Sequence, residues 1–328
     1  GDVSPVESLE DVYCVNTGGY DTDEYVSVYV VDADRPAVID TGMGTHYDRV
    51  KAAIDAVGLD VSDLAVIAAS HAHLDHAGGA GFLAADAPDA SVYVHEIGAP
   101  HLVDPSALIE GTKRAAGDLW QFYTEPKPVP EERIVALTDG DTIDLGDREL
   151  DVHHAPGHAP HQVVFHEPEE NWVHTGDAAG VWVPARQTVR EVSPPPNFDF
   201  EQAVADIEML EALSADTLLY GHYGPVTDVD VVLDIYRETL TMLRTYVACG
   251  LDPVRSVIYR QSDLPCTAEL TLLLGMITNI GFLERGTTYK DKMSKHEEDP
   301  KSEGNPLSYG LLGYPVLMAA DILIVKAD

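Results

Sequence analysis

The chain opens in short β-branched and aromatic runs. Val12 to Asn16, Tyr25 to Val31 and Ala37 to Ile39 are rich in Val, Tyr and Ile with turn residues between them, the pattern of β-strands. His46 and Tyr47 begin a helical stretch that continues to Val57. Leu64 to Ala69 is a continuous small and apolar run and reads as a buried strand, and alternation from Ser91 to His95 gives another. The pattern changes from Leu102 to Arg133, where Ala107 to Tyr123 reads as a helix and Pro126, Pro128 and Pro130 as a rigid connector. Strands resume at Ile134 to Leu137, Asp141 to Leu145, Glu149 to His154, Gln162 to His166 and Asn171 to Thr175, punctuated by Asp-Gly, Leu-Gly-Asp and Glu-Pro-Glu turns. Val181 to Phe200 reads as a loop. Phe200 to Leu213 is helical, Thr217 to Tyr220 a strand, and Val229 to Ala248 a closing helix. Two strand-rich halves, each followed by helices, predict two sheets packed face to face with helices outside.

Chemistry concentrates in one stretch. Ser70 to Gly79 reads S-H-A-H-L-D-H-A-G-G and places His71, His73, Asp75 and His76 within six positions, directly behind a predicted strand. A single histidine is most often a satisfied core or surface residue; the joint pattern H-x-H-x-D-H is far more specific. Imidazole nitrogen and carboxylate oxygen are the donors zinc takes when no thiolate is offered. His71 and His73, two apart, project to one side as the strand ends. Asp75 and His76 precede Ala-Gly-Gly in a turn entering a helix, where a second pair of donors can be aimed at a neighbouring ion. Downstream lie His158 in A-P-G-H-A-P-H, Asp177 in H-T-G-D-A-A and His222 in Y-G-H-Y-G-P, each just beyond an apolar or β-branched run. Asp40, in D-T-G, reads as a turn or helix-capping aspartate. His95 is a candidate support for the donors, and Trp120, Phe122 and Tyr123 read as core or as substrate wall. No G-x-S-x-G nucleophile elbow occurs.

Composition narrows the classes. The 328 residues are enough for two or more domains. With 20 Lys+Arg against 56 Asp+Glu the formal charge is −36, which repels phosphate backbones and argues against a nucleic-acid partner. An acid excess spread along the chain, with few lysines and 45% hydrophobic residues, describes a folded protein adapted to high salt. Cys14, Cys249 and Cys266 show no paired spacing, so no disulfide framework is expected and a reducing cytoplasm is. No basic-then-apolar leader and no apolar run of the roughly 20 residues a membrane helix needs is found, so no membrane association is expected. Nothing specifies an oligomer. The charge is uneven: residues 1–250 hold 12 Lys+Arg and 45 Asp+Glu, residues 251–328 hold 8 and 11, so two compositions meet at Gly250.

The motif H-x-H-x-D-H followed by a histidine, an aspartate and a histidine at later strand ends resembles the metallo-β-lactamase superfamily, over about Val12 to Cys249. The resemblance implies an α+β fold, a four-layered αβ/βα sandwich, for residues 1–250. It also implies a centre with two Zn2+, His71, His73 and His158 holding one ion, Asp75, His76 and His222 the other, and Asp177 bridging. Two such ions lower the pKa of a shared water to about 7 and make it the nucleophile, while Asp75, the catalytic carboxylate, orients it and carries its proton to the leaving group. In the family D-T-G helps hold the metal-binding loop. Insertions like residues 102–133 commonly overhang the metals, which makes that segment the candidate lid, with Tyr223 and Trp182 as candidate substrate contacts. Diiron members typically carry glutamate at the second motif position; His73 favours zinc hydrolysis, with an iron persulfide dioxygenase (one or two Fe) or a metal-binding scaffold without turnover as alternatives. The chain lacks the helical C-terminal domain with which hydroxyacylglutathione hydrolases grip glutathione, and the added domain or basic arm of the nucleases. A small ester, thioester or lactone is the expected small-molecule substrate.

After Gly250, the segments D-P-V-R-S-V-I-Y-R-Q-S-D-L-P, A-E-L-T-L-L-L and G-L-L-G-Y-P-V-L-M-A-A-D-I-L resemble an internal part of bacterial tryptophanyl-tRNA synthetase, over Leu251 to Asp328. The resemblance implies an incomplete Rossmann-like α/β fragment in which Met318 and Asp321 match tryptophan-pocket positions. The family's ATP-binding signature has no counterpart, and Lys292-Met293-Ser294-Lys295 precedes Asp321 where the family's catalytic lysine loop follows it. A Rossmann-type fold without its first βαβ unit lacks its nucleotide site, so no synthetase activity is expected.

Overall fold

The computed structural model describes residues 2–20, 22–192, 197–249, 265–286, 289–290 and 309–324. Its backbone divides into two compact units, Gly1–Leu251 and Asp252–Asp328.

Seven strands form the first sheet of the first unit, in chain order: β1 (Asp2–Pro5), β2 (Val12–Gly19), β3 (Thr22–Val31), β4 (Ala37–Ile39), β5 (Val66–Ala68), β6 (Ser91–His95) and β7 (Ile134–Leu137). β1 to β4 pair antiparallel and β4 to β7 parallel. Parallel neighbours need crossovers. These are α1 (Tyr47–Ala56), then α2 (Leu74–Ala77) with α3 (Ala80–Asp86), then α4 (Ala99–Val103) with α5 (Ser106–Ala116). The second half contributes β8 (Thr142–Asp144), β9 (Glu149–His154), β10 (Val163–Glu167) and β11 (Trp172–Gly176), a separate hairpin of β12 (Val181–Val183) and β13 (Thr188–Arg190), then β14 (Thr217–Tyr220) and β15 (Pro225–Val226). Its six-stranded sheet runs β15-β14-β11-β10-β9-β8, with β14 parallel to β11. Helices α6 (Phe200–Leu213) and α7 (Val229–Ala248) cover it.

The side chains show why these layers stack. Tyr29, Ile39 and Ala68 of the first sheet meet Val152, Phe165, Trp172 and Leu219 of the second in one buried cluster. The outer face of the first sheet packs Val38 and Ile67 on Ile54 of α1 and Leu83 of α3, and that of the second packs Val173 and Leu218 on Ile207, Leu210, Leu233 and Tyr236 of α6 and α7. The order is helix, sheet, sheet, helix, the α+β sandwich expected. Strands covered on both faces read as unbroken apolar runs: A-V-I, V-I-A and T-L-L-Y are buried throughout. Each large side chain so buried, such as Trp172 or Phe165, contributes about 1.5–3 kcal/mol.

Several local expectations are corrected. Residues 181–200 are not all loop, because Trp182 pairs with Val189 across the β12–β13 hairpin. The helix expected over Ala107 to Tyr123 ends at Ala116, where Gly117 takes φ 53°, and a 3-10 turn over Gly117–Phe122 follows. Asp75 and His76 lie within the single turn of α2 rather than in a turn before a helix. β1 and β15 were hidden by Pro5 and Pro225, tolerated because both strands are sheet edges.

In the second unit the described elements include helices Pro265–Ile277, Ile280–Leu283 and Tyr309–Ile324. A cavity of 340 Å³ is lined there by Thr271, Gly275, Leu283, Tyr314 and Leu317 among others; Met318 and Asp321 are not among its lining residues. The D-P-V-R segment and Lys292 to Lys295 lie outside the described residues. No helix among the described residues is long and apolar enough to cross a membrane.

Candidate metal centre

Four chemistry-bearing residues leave the carboxyl ends of the parallel strands, where open α/β sheets place ligands. Asp40 follows β4, His71 lies three residues past β5, Asp177 follows β11 and His222 lies two residues past β14. His158 sits on the β9–β10 connection. The β11–β14 register shifts between His174 and Gly176, and Gly176 takes φ 49°, which turns Asp177 off the strand line. The two sheets are tied at this end by a bridge between Val26 and His222 and by Ser27 N–H donating to the Gly221 carbonyl at 2.9 Å.

Asp177 is the hub. Its Oδ1 lies 3.3 Å from His222 Nε2 and 3.5 Å from His76 Nε2, and its Oδ2 lies 3.4 Å from His158 Nε2 and 3.9 Å from His71 Nε2. His73 Nδ1 stands 3.0 Å from Nε2 of both His71 and His158. Asp75 Oδ2 is 3.9 Å from His222 Nε2 and 4.0 Å from His76 Nε2. Three sets thus close within 4.8 Å: His71, His73, His158; His71, His76, Asp177; and Asp75, His76, His222.

The outward ring nitrogens are held from behind. His158 Nδ1–H donates to the Val192 carbonyl at 2.9 Å, His222 Nδ1–H to the Tyr25 carbonyl at 3.1 Å, and His76 Nδ1–H to Asp40 Oδ2 at 2.8 Å. His71 Nδ1 meets Ser70 Oγ at 3.1 Å, which in turn donates to Asp40 Oδ2 at 3.0 Å. Each bond fixes a tautomer and turns the Nε2 lone pair inward. Asp40 also accepts from Ser70 N–H at 2.8 Å, and its φ of 55° bends the chain toward the metal loop.

Burial keeps His71, His73 and His158 neutral. It drives His71 well below its ordinary pKa, His73 down to about 3, and His158 down. For Asp177 burial works against ionisation, but His76, His158 and His222 outweigh it and hold the carboxyl well below the usual range. Burial opposes charge on His76 too, yet Asp177, Asp40 and Asp75 raise its pKa well above normal; a cation entering there displaces that proton. His76 Nε2 and Asp177 Oδ1 are buried with no hydrogen-bond partner. An all-nitrogen-and-oxygen donor set around two such atoms fits divalent cations.

Beside this cluster opens a cavity of 470 Å³ whose lining includes His73, Asp75, His101, His161, Tyr20 and Tyr123. His161 ends the A-P-G-H-A-P-H motif, and no local pattern marks it as part of the site. It is buried, its ring lies 5.5 Å from that of His73, and burial lowers its pKa to about 3. The Tyr20 and Tyr123 hydroxyls hydrogen-bond each other, joining the β2–β3 turn to the 102–133 segment. Trp182 is buried in the cluster under α6 and α7 and is not among the residues that line this cavity. Tyr223 stands edge-on to Tyr25, whose ring lies 4.5 Å from that of His222. His95 stacks on His154 at 4.2 Å and belongs to none of the three donor sets.

The His158 loop is clamped by α6. Gly157 N–H donates to Asp206 at 2.7 Å, and a Cβ on Gly157 would collide with the Ala203 backbone. Burial pushes the Asp206 pKa up from 3.8 to about 6. A folded-state value above the unfolded one means stability present at low pH and lost as pH rises through about 6. Asp206→Asn keeps an acceptor for Gly157 and is therefore expected to gain on the order of 2–3 kcal/mol at neutral pH, about 5–10 °C in Tm. Thermal melts at neutral pH and below about pH 4 check this; the gain should vanish at the lower pH.

A family model described as the metallo-beta-lactamase superfamily matches residues 21–222. The chain belongs to that superfamily. Among solved structures, an archaeal metallo-beta-lactamase superfamily protein from Sulfolobus tokodaii has a TM-score of 0.60 at 22% identity, covering 77% of this chain and 91% of that one. A HARLDQ-motif mutant of a metallo-beta-lactamase from Cronobacter sakazakii has a TM-score of 0.58 at 20% identity, covering 76% and 100%. At such identities the likeness is one of fold. A second model, class I tRNA synthetases (W and Y), matches residues 226–328. The tryptophan–tRNA ligase of Fusobacterium nucleatum is 45% identical over 106 residues, 32% of this chain and 30% of the relative. That of Ralstonia nicotianae is 49% identical over 93 residues, 28% and 22%. The chain spans less than a third of the length of these ligases. Superfamily membership supports a hydrolase-type enzyme with divalent metal at the His/Asp cluster.

Proposed function

We propose that residues 1–250 form a hydrolase domain that uses two zinc ions on a small ester, thioester or lactone. The reading rests on one observation: five imidazoles and two carboxylates converge around Asp177, with His76 Nε2 and Asp177 Oδ1 buried and unpartnered. His71, His73 and His158 would hold one ion and Asp75, His76 and His222 the other, with Asp177 available to both. When bound, zinc acidifies water to near neutrality and polarises the scissile carbonyl. Asp75, half-buried where His71, His76, His158 and His222 are buried, and lining the cavity, accepts the proton of the attacking water and passes it to the leaving group. The water oxygen bonds to the carbonyl carbon, the acyl–oxygen or acyl–sulfur bond breaks, and its electron pair departs with the alcohol or thiol. The acidic composition supports a small molecule over a polyanion and a salt-rich cytoplasm as the working medium.

Metal analysis joined to a panel of esters, thioesters, lactones and phosphodiesters in molar salt is the test. Two zinc per chain with chelator-sensitive ester, thioester or lactone cleavage is expected. Iron with oxygen consumption on glutathione persulfide, or metal without turnover, overturns the reading. The C-terminal segment is proposed to be catalytically silent, since the ATP-binding signature expected of a synthetase has no counterpart in the sequence. Tryptophan-dependent ATP–pyrophosphate exchange by the full chain would refute that.

A further inference from the structure

Helix α5 is amphipathic, yet none of its residues is buried. An amphipathic helix of a folded domain normally turns its apolar stripe to the core; here Ala107, Leu108, Gly111, Thr112 and Ala115 instead line the 470 Å³ cavity, and Leu119 continues the row. That cavity is within the roughly 300–1,000 Å³ of small-molecule sites. It reaches His73 and Asp75 of the metal cluster at one boundary. From Ala107 to Ala116 the wall is about 14 Å long, at 1.5 Å per residue.

Gly111 sharpens the picture. Glycine in a helix interior costs about 0.5–1 kcal/mol relative to alanine, and a Cβ built on Gly111 meets nothing within 4 Å. Neither a tight neighbour nor a left-handed φ requires glycine there. What its absent side chain does is keep the trough open. Among the described lining residues there is no lysine or arginine, and the acid is Asp75 at the metal cluster. A carboxylate-bearing arm would lie there without a cationic partner, which costs it affinity.

We infer that the α5 trough binds a neutral, unbranched alkyl arm of the substrate, so that the preferred substrates are alkyl-chain esters or thioesters rather than compact or anionic ones. This rests on the hydrolase reading above for its turnover but not for its binding. In the reaction, water adds to the carbonyl carbon, the acyl bond breaks, and the alcohol or thiol leaves with the electron pair and a proton, the arm remaining along α5.

The experiment uses the zinc-loaded full chain in molar salt. Hydrolysis is compared along p-nitrophenyl alkanoates from acetate to dodecanoate and along alkyl acetates of matching length, which distinguishes an arm on the acyl side from one on the leaving group. Binding of 2-alkanones, which cannot be hydrolysed, is followed in parallel by calorimetry. Expected is a gain of roughly threefold per methylene in kcat/KM and in ketone affinity until the trough is full. Gly111→Phe should reverse both trends, while Gly111→Ala, which restores helix propensity with little bulk, should keep them. A chain ending in a carboxylate should be rejected. Chain-length-independent hydrolysis with no ketone binding overturns the trough and leaves the hydrolase reading standing. Length-dependent ketone binding without hydrolysis of any ester upholds the trough and sinks the hydrolase reading. Preference for the carboxylate-ended chain overturns the neutral arm.

Discussion

Asp177→Asn is expected to lower kcat/KM for the best ester or thioester about 1000-fold, near 4 kcal/mol of transition-state stabilisation, and to reduce bound zinc below two per chain. The amide keeps the shape of the carboxylate but not its charge. In the wild type that charge sits 2% exposed, with four imidazole nitrogens between 3.3 and 3.9 Å away. An asparagine offers one weak oxygen in place of two charged ones, so the carboxylate proposed to stand between the two ions is lost. Metal-free stability should fall as well, because the attraction of His76, His158 and His222 outweighs the burial penalty and is lost with the charge. The carboxyl is held well below 3.8 in the folded chain. The stability it contributes is therefore present above that value and lost only as pH falls through the folded one, so a rate loss between about pH 6 and 9 cannot be its titration. Zinc counting by mass spectrometry under native conditions and steady-state kinetics check both halves. Retention of two zinc with an unchanged rate would remove Asp177 from the centre.

Asp40→Ala should be the most destabilising single change near the site. Asp40 is fully buried and accepts from Ser70 N–H, Ser70 Oγ and His76 Nδ1, with His174 Nε2 at 3.5 Å. Alanine strands those donors, and removing one partner of a buried charge pair costs about 3–5 kcal/mol. For a domain of this size the Tm should fall on the order of 10 °C. Zinc affinity should fall about 10–100-fold as well, because His76 loses the bond that aims its Nε2 at Asp177. Melts with chelator and with saturating zinc separate the two effects. An unchanged melt would make Asp40 a simple turn residue, the alternative its sequence context also allowed.

The candidate donors were readable because their chemistry is local: S-H-A-H-L-D-H compresses four of them into six positions, Asp177 and His222 follow the apolar strands β11 and β14, and His158 sits in the A-P-G-H-A-P-H connection between β9 and β10. Asp40 was ambiguous for the opposite reason. Its partners, Ser70 and His76, lie 30 and 36 residues away, and no local pattern records that separation. His161, in plain view in A-P-H, was missed because a histidine's role depends on which residues fold against it. The burial of Trp182 under α6 and α7 is not legible in the sequence, because nearness to Asp177 does not say which face of a hairpin meets the core. The edge strands β1 and β15 escaped because proline suppresses a strand signal that edge position makes harmless.

Sequence alone determined the layered fold, the break in composition near Gly250 and the seven candidate donors, since periodicity, charge and spacing are properties of neighbouring residues. Tertiary structure alone decided that those donors meet around Asp177, that Asp40 and Asp206 brace the loops carrying them, and that α5 faces a cavity instead of the core. Those facts depend on contacts between residues far apart in the chain. Such contacts form only once apolar burial has stacked the two sheets and brought their carboxyl ends together.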